Sequence, residues 1–323
     1  MLRAVMAMMR IFNTIDGQTE QVSKPERGAW ISLVDPTDIE LSTVSQKHKI
    51  DLADLRAPLD DEERSRIDVE DDYTMIIVDI PTVEERAERN WYNTIPLSII
   101  VTDGVIITVC SQDTPLLHPF MDGTIRGFNT FMHTRFILQI LYRNAAMYLR
   151  YLRIIDRESD KLEIRMQDST QNREILILME LSKSLLYFTT SLKSNEIVLE
   201  KLTTLNRIRP YEDDNDLLED VITENKQAIE MATIYQGVLQ GMTDAFSSIV
   251  SNNVNNVMRV FTIISIVLTI PTLVFSLYGM NFPWMPFLDK PWGFAIVMLS
   301  TLAITVGATW WLMHSRFFKV GKG

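Results

Sequence analysis

The sequence predicts an α+β soluble domain, continued by long stalk helices and ended by two transmembrane helices. Three observations predict it: short β-rich runs bounded by turn residues up to about residue 125, helical periodicity from Thr134 onward, and two uncharged apolar stretches near the C-terminus. The expected parts are an α/β domain at 1–125, a helical stalk region at 126–258 and a two-span segment at 259–323. Within the last part, 281–291 is expected to form an extracytoplasmic loop, and the basic C-terminal tail to be cytosolic.

Residues 1–10 hold a short apolar run interrupted at Arg10, too short for a signal-peptide core with a cleavage site, and are expected to begin the soluble domain. Residues 30–34 (Trp-Ile-Ser-Leu-Val) read as a buried strand stopped by Asp35-Pro36. Thr37 and Glu40 then make a capping box for a helix running to about Lys47. A second strand is expected at 73–80, after Glu70-Asp71-Asp72. Runs 95–102 and 105–109 flank Asp103-Gly104, the strongest short hairpin signal in the chain.

Helical periods follow at about 134–166 and 172–205. Arg209-Pro210 breaks the chain, and the next helix is expected to start among Glu212, Asp213, Asp214 and Asp216. No helix-breaking cluster occurs before Pro271, so that helix should run unbroken to Tyr278, a length of about 100 Å. Residues 260–278 carry no charge and would span roughly 28 Å as a helix, close to the ~30 Å hydrocarbon thickness. A second uncharged stretch covers 291–313. Tyr278, Trp284 and Trp292 mark one interface, and Trp310, Trp311, Phe317 and Phe318 the other. Arg259 precedes the first span and Arg316, Lys319 and Lys322 follow the second, so both termini should be cytoplasmic. Two spans cannot enclose a pore alone, so a channel of this design must be a homo-oligomer.

Composition narrows the partners. From Asp244 onward there are five basic and two acidic residues, leaving 26 basic and 40 acidic before it, a charge of −14 within a total of −11. An acidic domain does not suit nucleic acid, whose phosphates require Lys and Arg. It suits cations, though solubility explains acidity equally well. Cys110 is the single cysteine, which excludes an intrachain disulfide or a thiolate metal cluster. The four histidines (His48, His118, His133, His314) are far apart, and no HExxH, GxSxG or Walker motif occurs, which argues against an enzyme.

The long helix carries a polar stripe. Steps of three or four residues give Asp244, Ser247, Ser251, Asn255, Met258, Thr262, Ser265, Thr269, Thr272, Ser276 and Gly279, while the residues between them from 260 on are mainly Val, Ile, Leu and Phe. Such spacing keeps one edge on a common axis. Hydroxyls have no partner in lipid, so this edge should meet protein or water. Small residues at this spacing also serve close helix packing, and the stripe alone does not decide between the two. Asn255 and Asp244 favour a cation path, because hard cations take oxygen ligands. Met258 fits an apolar constriction or a core-filling role.

The segment Pro271-Thr272-Leu273-Val274-Phe275-Ser276-Leu277-Tyr278-Gly279-Met280-Asn281-Phe282, followed by Met285-Pro286, resembles the CorA magnesium transport proteins. The similarity covers both spans and the long helix, and extends more weakly to 30–36 and 70–81. The resemblance implies a funnel-shaped homopentamer in the cell (inner) membrane, passing Mg2+, with Co2+ or Ni2+ as further substrates, down the electrochemical gradient. It implies that Gly279, Met280 and Asn281 meet hydrated Mg2+ at the outer mouth. The pore asparagine maps to Asn255, the pore threonine to Thr272, the hydrophobic gate to Met258 with Phe261 beside it, and an acidic ring to Asp244. Thr269 stands where relatives can be apolar. The family closes when Mg2+ binds between cytosolic domains. Asp220 matches the stalk acid of that site, with Glu219 beside it and Glu84 or Glu85 as partner. Acids at a helix start also complement its dipole, which accounts better for 212–216 than for 219–220. A related branch carries Zn2+ and has Ile for the central Met, which Met280 does not match. A membrane-tethered sensor is the alternative from another class.

Overall fold

A computed structural model of the chain describes residues 8–86, 89–168, 172–205, 214–280, 286–287 and 290–314. Its contacts divide it into two compact units, Met1–Thr243 and Asp244–Gly323.

The first unit is built on one seven-stranded sheet in the order β2-β1-β3-β7-β6-β5-β4. The strands are β1 (Met8–Ile15), β2 (Gln18–Gln21), β3 (Ala29–Val34), β4 (Arg66–Val69), β5 (Tyr73–Arg86), β6 (Arg89–Thr102) and β7 (Val105–Cys110). All neighbours are antiparallel except β3 and β7, which pair parallel with Ile31 opposite Ile107. The helices are α1 (Asp38–His48), α2 (Leu52–Arg56), α3 (His118–Met121), α4 (His133–Asp168), α5 (Asn172–Thr204), α6 (Asn215–Tyr278) and α7 (Gly293–His314).

The period-two alternation of strands divides the apolar residues between two faces. Ile31, Leu33, Met75, Ile77, Ile107 and Val109 pack with Leu41 and Val44 of α1 and Leu55 of α2. Trp30, Ile76, Val78, Leu97, Ile99 and Ile106 pack on the other face with Phe120, Phe136, Ile140 and Val198, and so against α3, α4 and α5. Trp30 is fully buried there, stacks on Phe12 at 5.0 Å, and donates from its indole Nε1 to Thr108 Oγ1 at 2.9 Å. The chain therefore has an α+β soluble part whose mixed sheet is covered on both faces.

Local chemistry sets the ends of these elements. Thr37 Oγ1 accepts from the Glu40 N–H, and the Glu40 carboxylate accepts from the Thr37 N–H at 2.8 Å, so the expected capping box is formed. The Asp103-Gly104 turn joins β6 to β7, and Thr102 Oγ1 accepts from the Val105 N–H at 3.0 Å. One expectation needs correction. β5 and β6 are 14 residues each, so the strands expected at 73–80 and 95–102 extend further and Glu84 and Glu85 lie inside β5 rather than after it. The N-terminal segment supplies the strands β1 and β2, and 66–69 supplies β4. The long helix begins at Asn215; Glu212, Asp213 and the Arg209-Pro210 break lie outside the described residues.

β4 is only four residues long and pairs no further along β5 than Ile77, which leaves the β5 edge at Asp79 without a strand. Opposite Asp79 in β6 stands Pro96, which has no N–H to donate. The open edge is closed by side chains. Asn195 of α5 accepts from the Asp79 N–H at 2.9 Å and donates to the Asp79 carbonyl at 2.8 Å. The same carbonyl accepts from Asn144 Nδ2 at 2.9 Å and from the Tyr148 hydroxyl at 3.1 Å. Burial among these groups pushes the Asp79 carboxyl up to about 6, opposed by hydrogen bonds from Ser191 and Ser65.

A carboxyl raised from 3.8 to about 6 holds its proton more tightly in the folded than in the unfolded chain. Its stabilising contribution is complete below about pH 4 and lost as pH rises through 6. The ionised form then costs on the order of 3 kcal/mol. Asp79→Asn should raise the thermal midpoint at pH 8 and narrow the stability difference between pH 5 and pH 8, read by circular dichroism on the full-length chain in detergent. An unchanged pH dependence would remove Asp79 from this account.

Candidate functional site

The candidate site is carried by α6, one helix of 64 residues that runs unbroken through Pro271. Its start is anchored by Asp214, whose side chain is 1% exposed and whose Oδ1 accepts from Arg135 Nε of α4 at 2.6 Å. Further along, Val221, Asn225, Ala228, Ala232 and Leu239 recur at helical spacing and are buried. Asn225 Nδ2 donates to the Leu192 carbonyl of α5 at 3.3 Å, and Ser159 Oγ of α4 lies 3.3 Å from Met242 Sδ. These contacts belong to the first unit.

In the second unit the polar stripe is an exposed edge of α6. Asp244, Ser247, Ser251, Asn255, Met258, Thr262, Ser265, Thr269, Thr272, Ser276 and Gly279 are all exposed. The less exposed positions, Ile263, Ile266, Val267, Ile270, Val274 and Tyr278, fall on the opposite side at 3.6 residues per turn. The stripe is thus an exposed polar edge flanked by exposed apolar residues such as Phe261, Ile264, Leu268 and Leu273, and the less exposed side is apolar.

Four of the hydroxyls on this edge share one geometry. Thr262 Oγ1 donates to the Met258 carbonyl at 2.8 Å, Ser265 Oγ to Phe261 at 2.9 Å, Thr269 Oγ1 to Ser265 at 2.7 Å and Thr272 Oγ1 to Leu268 at 2.8 Å. Each hydroxyl hydrogen is committed to the helix itself, so what the edge offers outward is oxygen lone pairs. Such an edge accepts hydrogen bonds from water, including water bound to a cation. Thr269, Thr272 and Ser276 line a shallow groove bounded by Leu268, Leu273 and Met280. The helix ends at Tyr278, and Gly279 and Met280 continue its last turn, the Gly279 N–H donating to the Phe275 carbonyl at 2.9 Å. Asn281 lies outside the described residues, as do the tail residues Arg316, Lys319 and Lys322.

The carboxylates expected at the second cation site are dispersed within one chain. Asp220 and Glu219 are exposed on α6; Glu84 and Glu85 lie on β5 opposite Trp91 and Asn90 of β6. Among the described residues no group of three or more His, Cys, Asp or Glu side chains gathers into a metal site. Sequence reasoning missed Arg135, the partner of Asp214, because 79 residues separate them. A basic residue on the buried side of the α4 period was the available signal.

Among the described residues three helices are long and apolar enough to cross a membrane: Arg173–Thr204, Asn215–Tyr278 and Gly293–Leu312. The first contributes Val198, Leu199 and Leu202 to the core against the sheet, so its apolar side is already used. The other two are the spans expected from the sequence.

Comparison with known proteins agrees with this arrangement. A sequence model of the family described as CorA-like Mg2+ transporter protein matches residues 26–316. The cobalt/magnesium transport protein CorA of Methanocaldococcus jannaschii is 26% identical over 310 residues, covering 93% of this chain and 95% of its own. That of Thermotoga maritima is 24% identical, covering 86% and 80%. The solved complete structure of the M. jannaschii CorA magnesium transporter superposes with a TM-score of 0.82 at 23% identity, over 97% of this chain and 99% of that one.

The anchor at the start of α6 is open to a direct test. Arg135→Leu leaves the buried Asp214 carboxylate unpaired and should destabilise the fold by about 3–5 kcal/mol. Arg135→Leu combined with Asp214→Leu should recover most of that loss in a thermal-melt double-mutant cycle. Additive losses would mean the pair is not coupled.

Proposed function

The chain belongs to the CorA-like Mg2+ transporter family, and on that premise we propose that it is a homopentameric cation channel admitting Mg2+ down the electrochemical gradient. The observation that carries the reading is the exposed edge of acceptors on α6, from Asp244 to Gly279. In this reading the edges of several copies face one axis, and α7 (Gly293–His314) faces lipid. The bilayer is the cell (inner) membrane, with both termini cytoplasmic. The chain works as three parts, 1–125, 126–258 and 259–323.

Mg2+ gives up its waters reluctantly, so selection by hydrogen bonds to its bound waters calls for neutral acceptors rather than a carboxylate cage. Asn281, with Gly279 and Met280, forms the outer ring of such acceptors. Thr272, Thr269, Ser265 and Thr262 continue it with outward lone pairs, and Asn255, Ser251 and Asp244 complete the inner end. Met258, 57% exposed, supplies an apolar constriction that closes by excluding water. No fuel is required, since two positive charges moving inward gain roughly 4.6 kcal/mol per 100 mV. Co2+ and Ni2+, similar divalent ions, are further substrates. Met280 sets the chain apart from the Zn2+ branch, and membership of a transporter family sets it apart from enzymes and tethered sensors.

Mg2+ also regulates the channel in this reading. The carboxylate oxygens of Asp220 and Glu219 suit Mg2+, and both residues are exposed on α6; Glu84 or Glu85 of a neighbouring subunit is their partner in this reading. Facing carboxylates repel one another across an interface. A bound divalent cation cancels that repulsion and favours a closed arrangement.

Asn281→Ala should abolish Mg2+ uptake into liposomes while the oligomer elutes unchanged from gel filtration; uptake at the wild-type rate would take Asn281 out of the path. Asp220→Ala should weaken the protection that Mg2+ gives the cytosolic domain against proteolysis. Full protection in that variant would move the regulatory site elsewhere.

A further inference from the structure

Within the second unit, the ends of α6 and α7 and residues between them line a cavity of about 400 Å3, which of the proposed ion path touches only Gly279. Ligand pockets occupy about 300–1,000 Å3, so the space is large enough to hold part of a molecule. Its walls are apolar, made by Phe275 of α6, Phe287 of the loop, and Phe294, Val297 and Met298 of α7. Pro286 and Phe287 are held against the two helices. The Tyr278 hydroxyl donates to the Pro286 carbonyl at 3.2 Å, and a Cβ on Gly293 would lie 1.8 Å from the Phe287 carbonyl oxygen, so only glycine lets Phe287 come this close.

The cavity has one cationic group, Lys290, whose Nζ lies 5.2 Å from the centre of the Trp292 ring. Lys290 is also the only Lys or Arg between Arg259 and Arg316. Tyr278 and Trp292 are the residue types that settle at headgroup depth, with the apolar wall continuing from them toward the hydrocarbon. A lysine beside an aromatic ring at that depth keeps its stem on apolar surface and its ammonium in the headgroup layer.

We propose that this cavity holds an acyl chain of an anionic phospholipid, with the lipid phosphate against the Lys290 ammonium. The apolar wall fits the chain, and the lysine fits a net negative headgroup better than a zwitterionic one, whose own cation opposes it. The site rests on the membrane reading of α6 and α7 and is independent of what passes along the polar edge of α6.

The test uses the full-length chain in detergent, its thermal midpoint followed while palmitoyl-oleoyl phosphatidylglycerol or palmitoyl-oleoyl phosphatidylcholine is added. Phosphatidylglycerol should raise the midpoint in a saturable way, and phosphatidylcholine should not. Lys290→Gln should shift the phosphatidylglycerol requirement up by about fivefold, the effect of one basic residue at an anionic lipid surface. Lys290→Arg should restore it. Val297→Trp, which fills the cavity and keeps the charge, should abolish the saturable response. Equal stabilisation by both lipids, or an unchanged response in Lys290→Gln, overturns the proposal. So does Val297→Trp altering the oligomer size while the lipid response persists, which would mean that a neighbouring copy fills the space. Mg2+ uptake into phosphatidylcholine vesicles should be the same for Lys290→Gln and wild type, so a failure of the channel reading and a failure of the lipid site are separable.

Discussion

A hydroxyl in hydrocarbon has no water to bond, and that constraint organises the membrane part of this chain. The α6 segment from Thr262 to Thr272 meets it twice. Each side-chain hydrogen returns to a carbonyl of its own helix, and the remaining lone pairs lie on one edge, away from the half-buried apolar side. Outward lone pairs gathered on one edge favour water or polar protein over lipid. The proposed pore meets that preference by turning this edge of several copies toward one axis, which is why the acceptor edge of α6 matters more here than any single residue on it.

The same logic of satisfying polar groups explains the first unit. The sheet runs out of strands beside Asp79, and α4 and α5 replace the missing partner with Asn144, Tyr148 and Asn195. Asp214 brings a charge into the interior at the start of α6, and Arg135 meets it there. Each is a buried polar arrangement that fixes where a long helix lies against the sheet or its neighbour. Buried networks of this sort add less to stability than they cost when broken, because removing one member leaves the other unpaired.

Much of the architecture was legible in the sequence because it rests on local signals. The capping box at Thr37 and Glu40, the Asp103-Gly104 turn, and the helical periods of α4, α5 and α6 all come from residues within a turn or two of one another. β1, β2 and β4 were not read from the sequence although their pairing is local, β1 and β2 joined by the Asp16-Gly17 turn and β4 paired with the adjoining β5. β2 and β4 are four-residue strands, β2 wholly polar and β4 half so. The outer halves of β5 and β6 carry Glu84, Glu85, Asn90 and Asn93, so their composition reads as loop although they form a ribbon. The acceptor edge was visible as a spacing pattern, but the direction of its hydroxyl hydrogens was not. Arg135 and Asp214 needed the fold, and a site shared by Asp220 with Glu84 or Glu85 needs a second copy of the chain.

The central claim is that the polar edge of α6 conducts Mg2+ without a fuel. The most direct measurement is ion entry into vesicles holding the purified full-length chain, under an imposed inside-negative potential, with Mg2+ or Zn2+ outside. The account predicts Mg2+ entry that rises with the potential and exceeds Zn2+ entry. Zn2+ entering in preference, or Mg2+ failing to enter under the potential, would contradict it.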